Sequence, residues 1–154
     1  MRLRTIGLTL AVCFVAVAAA LAADPNMGTW KLNEAKSKLA AGVTKNNTVV
    51  YEAAGDNVKV TIDGTSGDGK AVHSEWTGKF DGKEYAVTGD PTSDMRSYTR
   101  VNANTLAFAG KMGGKVSISG RIVVSADGKT RTVTAHGTNA KGVKLTSTAL
   151  YDKQ

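Results

Sequence analysis

The sequence predicts an all-β protein: an up-and-down antiparallel β-barrel of about ten strands, with one short helix after the first strand. Three observations carry this. From Asn47 onward the apolar residues recur with a period of two, the spacing of a half-buried strand. Asp-Gly pairs stand at 63, 68, 81 and 127, and three of them are followed by Lys. In such pairs Gly supplies the positive φ of a tight hairpin and Asp bonds its own backbone. Lastly, Cys13 is the only cysteine, so no disulfide holds the fold and a packed interior must do so. Short turns join antiparallel neighbours, and an open meander would leave two exposed edges that closure removes.

The chain opens with an export signal. Arg2 and Arg4 precede an apolar run from Ile6 to Leu21, and Ala20-Leu21-Ala22 has the small-x-small form of a cleavage site. Cleavage is expected after Ala22. The run is short for a membrane span, which needs about 20 residues, so an uncleaved anchor is disfavoured. Lipidation at Cys13 is disfavoured too, because Val12 stands where a small residue is wanted. The expected organisation is therefore a signal peptide at 1–22 and one barrel domain at 23–154. Such a protein would be periplasmic or extracellular and monomeric, with no stable membrane insertion after cleavage. A chain of this size buries roughly two thirds of its unfolded surface.

After a leader, Asp24-Pro25-Asn26, the first strand is expected at 28–33. Good helix formers follow from Glu34 to Ala41, with Gly42 placed as a stop. Helices this short are marginal alone, so one or two turns docked as a lid or plug are expected. Further strands are expected at 47–53, 58–63, 70–77, 83–88, 95–101, 105–109, 115–125, 130–137 and 143–152. Their connections are rich in Gly, Asn and Asp, with a flexible loop at 64–67 and Pro91 in the loop at 89–94. The Asp-Gly-Lys recurrence is too irregular in spacing for a repeat.

The alternation assigns faces. Val116, Ile118, Gly120, Ile122 and Val124 share one face, expected inward, while Ser117, Ser119 and Arg121 share the other. Val143, Leu145, Ser147, Ala149 and Tyr151 share an expected inner face, as do Val72, Ser74 and Trp76; Ala71, His73 and Glu75 then point outward. Val133 and Ala135 share a face with Arg131. Phe14 lies in the signal, so eight of the nine aromatic residues remain for the barrel. Inner faces this rich in Val, Ala, Ser and Gly do not fill a ten-strand barrel. A cavity lined by small residues is expected.

Charge and chemistry exclude several classes. The chain carries 20 basic and 13 acidic residues. Lys residues are scattered singly along the strands, without a basic run or basic helix face, which argues against nucleic-acid binding. Scattered Lys also guards sheet edges. His73 and His136 are the only histidines and neither has a metal-ligand spacing. No activated Ser or Cys context is present. The reading is no enzyme, no catalytic residues, no metal and no cofactor.

Gly28-Thr29-Trp30-Lys31-Leu32 resembles the opening G-x-W strand of the calycins: lipocalins, fatty-acid-binding proteins and avidins. Gly142-Val143-Lys144-Leu145-Thr146-Ser147-Thr148-Ala149-Leu150-Tyr151 looks like the last strand of the fatty-acid-binding proteins. The chain also looks like bacterial exported lipocalin-like proteins with similar openings and Asp-Gly-Lys turns. The resemblance spans the chain from 23 onward and implies that Gly28 and Trp30 belong to a basal plug. There Trp30 is covered by a late-strand cation, with Arg131 the candidate and Arg121 the runner-up. It departs from the pattern at Ala149, where the fatty-acid-binding family has an Arg that shares the ligand carboxylate with a Tyr two residues on, here Tyr151. Some calycin relatives bind haem through one His, a role His136 alone could fill and which is disfavoured.

Arg96, Tyr98 and Arg100 alternate on one strand face. Facing inward they would form a patch for a carboxylate or phosphate; facing outward, a solvated face, which is favoured. Trp76, Phe108 and Tyr151 would line a cavity or serve as plain core. The candidate ligand-binding set is Trp76, Tyr98, Arg100, Phe108 and Tyr151. Two functions follow: binding of a small apolar or amphipathic molecule inside the barrel, or a filled barrel acting as a non-enzymatic interaction module of the envelope. Cavity volume separates them.

Overall fold

The computed structural model describes residues 23–138 and 142–154. The expected signal peptide with Cys13 and its cleavage point, and the turn residues at 139–141, lie outside the described residues. The expected strands form and close. They are β1 (Gly28–Leu32), β2 (Lys45–Ala54), β3 (Asn57–Thr65), β4 (Ala71–Gly78), β5 (Tyr85–Thr88), β6 (Met95–Asn102), β7 (Thr105–Met112), β8 (Lys115–Val124), β9 (Thr130–Thr138) and β10 (Lys144–Lys153). Each pairs antiparallel with its neighbour in sequence, and β1 also pairs with β10. Trp30 thus sits between Val49 and Lys153. Among the described residues no helix is long and apolar enough to cross a membrane.

Strand directions alternate, so the turns divide between two ends. The base end carries the leader, the chain's last residues and the turns after β2, β4, β6 and β8. The opposite end carries the segment after β1 and the turns after β3, β5, β7 and β9.

The base is sealed by sequence-local devices. Gly28 adopts φ +104, a conformation that strains any residue with a Cβ, and turns the leader beneath the barrel. Trp30 is fully buried, and its indole N–H donates to the Asn26 carbonyl at 2.8 Å. Asn26 is itself fully buried, with its backbone and side-chain N–H groups on Asp24. The Gln154 amide donates to the Thr29 carbonyl at 3.0 Å, tying the last residue to the first strand. Above this, one wall is an aromatic cluster: Trp76 meets Tyr98 edge-on at 4.8 Å and Tyr85 at 5.7 Å.

Three expectations are corrected. The helix after β1 is a single 3-10 turn, Glu34–Lys36. Beyond it the chain extends, because Lys38 exchanges two backbone hydrogen bonds with Thr148, at 2.7 and 2.8 Å. Ser37 accepts from the Leu150 amide, and the Ala40 amide donates to Ser147. A tether to β10 outweighs helix propensity here. Secondly, Asp63-Gly64 is not a turn. Gly64 lies within β3, against the Lys45 carbonyl, where a Cβ would sit 2.3 Å away. The positive-φ hairpin glycines of the Asp-Gly set are Gly69, Gly82 and Gly128. Thirdly, Val116 does not face inward. The β7–β8 ladder shifts register between Gly110 and Lys111, pairing Gly110 with Ile118 but Lys111 with Val116. The extra residue reverses the alternation, leaving Val116 61% exposed and turning Ser117 inward. Val143, also expected inward, is exposed at the end of its hairpin.

Candidate functional site

The barrel encloses a cavity of about 700 Å³. Its apolar walls are Ile62, Val72, Ile118, Ile122, Val133 and Leu145. These side chains reach it by the simple alternation of their strands. The space exists because other inward positions are small: Ser74, Ala135, Gly137, Ser147 and Ala149. Gly120 works differently. A Cβ there would lie 2.9 Å from the Phe108 ring and 2.1 Å from the Thr134 carbonyl. Its bare backbone lets Phe108 lie flat against the wall. At the end away from Trp30 the cavity is bounded by Leu39, Val43, Pro91 and Met112.

Arg131 forms the floor. It is 2% exposed, lines the cavity and covers Trp30 at 4.9 Å. Tyr51 and Tyr151 present their rings to the same guanidinium at 5.0 and 4.8 Å. The expected Trp30–Arg131 pairing is therefore present, within a three-ring box. Arg121 is exposed on the outer face. Among the described residues no carboxylate pairs with Arg131, and its Nε and Nη1 have no hydrogen-bond partner. Burying an unpaired ion costs several kcal/mol. Each ring face returns roughly 0.5–2 kcal/mol, so the box offsets part of that cost. Burial drives the Tyr51 phenol well above its ordinary value, with Tyr98 adding to the rise and Arg131 opposing it. Burial likewise pushes the Tyr151 phenol up to about 12, against the pull of Arg131. Both phenols are neutral donors at neutral pH.

The face of β6 is corrected: it points inward. Arg96 and Tyr98 are 8% and 3% exposed and both line the cavity. Burial is possible for Arg96 because Asp90, in the turn before β6, forms an ion pair with it, and Ser93 accepts from the same Nη2 at 3.1 Å. Asp90 also takes the Ser93 and Thr92 hydroxyls at 2.7 Å. Burial alone would raise the Asp90 carboxyl; Arg96 and these donors overcome it and hold the group below its ordinary value.

The candidate set is thus divided. Tyr98, Phe108 and Tyr151 border the cavity. Trp76 is buried in the aromatic cluster without bordering the cavity, its indole N–H donating to the Arg96 carbonyl at 3.1 Å. Arg100 belongs to the base, ion-paired with Asp24 and lying 5.2 Å over Phe80. Sequence reasoning missed Tyr51 and the Asp90–Ser93–Arg96 cluster. Tyr51 had a signal, since it shares a strand face with Val49; Asp90 had none, since turn residues carry no periodicity. His73 bonds Asp63 at 2.7 Å on the outer surface, and His136 meets Thr146 at 3.0 Å. Neither borders the cavity, and among the described residues no group of three metal-binding side chains converges. A second hollow of about 540 Å³ lies near residues 37–43 and the β3–β4 turn, and none of its lining residues is buried.

No protein-family model and no curated protein matches the chain. Two solved structures run alongside it. One, EF1p2_mFAP2b bound to DFHBI, is 13% identical, with a TM-score of 0.49 over 88% of this chain and 98% of its own. The other, a redesigned β-barrel, mFAP1, bound to DFHBI, is 14% identical, with a TM-score of 0.45 over 86% of this chain and 99% of its own. Neither degree of similarity passes a ligand or a role from one chain to the other.

Proposed function

We propose that the chain is an exported, lipocalin-like barrel that binds a small apolar or amphipathic molecule without chemical change. The observation supporting this is the interior: about 700 Å³ behind mostly apolar walls with a few convergent polar groups. The competing reading, a filled barrel acting through its outer face, needs an interior without such a space. A two-ring aromatic guest burying about 300 Å² would gain at most ~7.5 kcal/mol, and association costs reduce this to micromolar binding or weaker.

Native mass spectrometry of the protein purified from its own envelope tests the reading. A small molecule that co-purifies at one per chain is expected. The apo-protein should also enhance the fluorescence of phenylnaphthylamine, an uncharged dye, saturably and at one site. Absence of both across mild preparations would reject ligand binding.

A further inference from the structure

The register shift in β8 takes Val116 out of the barrel wall and leaves it in water. Bulges at barrel rims re-aim side chains, and this one brings Val116 to an apolar edge of the mouth. Met112 stands across the same hairpin, and Val143 leads out of the turn after β9. Both are exposed. The two turns adjoin, because β8 pairs with β9. They also stand clear of the barrel: a Cβ at Gly113, Gly114 or Gly142 would meet nothing within 4 Å. Of the five large apolar residues exposed among the described residues, three are thus gathered on these projecting turns. The charge beside them is basic. Lys115 pairs with Met112 in the ladder, and Lys144 follows Val143. Both lysines are exposed, and neither has an ion-pair partner among the described residues. Lys111, opposite Val116, is paired with Glu84. Asp94 reaches the same hairpin from the turn after β5, and its carboxylate accepts the Gly113 amide at 3.0 Å. The edge therefore sets two lysines without a counter-ion against one carboxylate held by a backbone amide.

We propose that this edge of the mouth, formed by the turns after β7 and β9, docks peripherally and reversibly on an anionic lipid surface. Exposed apolar side chains flanked by lysines suit the boundary of such a bilayer. There Met112, Val116 and Val143 would enter the headgroup region while Lys115 and Lys144 meet lipid phosphates. A protein partner suits the edge less well, since three side chains fall far short of the roughly 800 Å² a side that a stable pair buries. The docking surface lies outside the cavity and does not depend on what the barrel holds.

Vesicle flotation tests this with protein purified from its own envelope. Vesicles of phosphatidylglycerol mixed equally with phosphatidylcholine should carry at least about tenfold more protein than vesicles of phosphatidylcholine alone, and added salt should reduce the difference. Val116→Asp should lower binding to the mixed vesicles about tenfold. Lys115→Glu combined with Lys144→Glu should abolish the preference for the anionic lipid. Should Val116→Asp not fold by circular dichroism, the lysine pair decides alone. Ala135→Phe, which obstructs the cavity, should float as wild type does. Loss of flotation in that variant with retention in Val116→Asp would assign the lipid to the interior and overturn the docking surface. Binding that survives both the Val116 and the lysine variants overturns it, as does wild-type protein that floats equally on the two vesicles or on neither. A concentration-dependent dimer that Val116→Asp dissolves would make the edge a contact between copies and overturn the lipid.

Discussion

A buried guanidinium needs its charge met, and Arg131 and Arg96 are met in different ways. Trp30 and Arg131 come together because G-x-W opens β1 and Arg131 stands opposite Tyr151 on the adjoining pair of strands. The sequence offers that pairing through the resemblance of the opening strand to the G-x-W strand of the calycins, which implies a late-strand cation over Trp30, with Arg131 the candidate. The inward placement of Arg96 was not legible, because the residue that permits it, Asp90, lies in a turn without pattern. The Asp90 carboxyl is held below its ordinary value, so its contribution to stability is present above the unfolded-state value and is lost as pH falls through the folded one. Asp90→Asn should therefore melt below wild type near neutral pH, and the gap should close below about pH 4, where an ordinary Asp protonates. Melting temperatures of both proteins across this range decide it; a gap that stays constant down to strong acid would show that the pair is not the source.

At the scale of elements, β8 carries the clearest lesson. Its sequence alternates from Val116 to Ile122, and a strict period of two puts Val116 beside Ile118 and Ile122. The register shift opposite Gly110 and Lys111 inserts one residue and sends Val116 to solvent. A bulge leaves no mark in a hydrophobic pattern, because both faces on either side of it remain internally consistent. Val116→Lys should change unfolding free energy by no more than about 0.5 kcal/mol, whereas Ile122→Ala should cost about 2–4 kcal/mol. Denaturant melts of the two variants compare them directly, and a large loss in Val116→Lys would mean that β8 runs without the bulge. The segment after β1 failed for the opposite reason. Its residues favour a helix locally, but Lys38, Ser37 and Ala40 find backbone and hydroxyl partners on β10 that a helix would forfeit.

For the whole molecule, the shortage of large inward side chains is legible in the sequence as empty space. Alternation puts Val72, Ser74 and Ala149 on expected inner faces and Ala135 on the face of Arg131, and each borders the cavity. The polar end of that cavity was harder to read, since Tyr51 and Arg131 are about 80 residues apart in sequence and meet only through closure of β1 onto β10. The empty space can be put to use as a test of the molecule as a container. Ala135 sits midway along β9 between Val133 and Gly137, with no hydrogen-bonding role for its side chain. Ala135→Phe adds a ring to the cavity without touching Arg131, Trp30 or the base. The ring should find room among the apolar walls, so the variant should melt at or above the wild-type temperature while phenylnaphthylamine affinity falls by about tenfold or more. Dye titration and a thermal melt on the same sample separate the outcomes. A variant that melts early would show an interior already packed at Ala135, and a stable variant with undiminished affinity would place the dye outside the barrel.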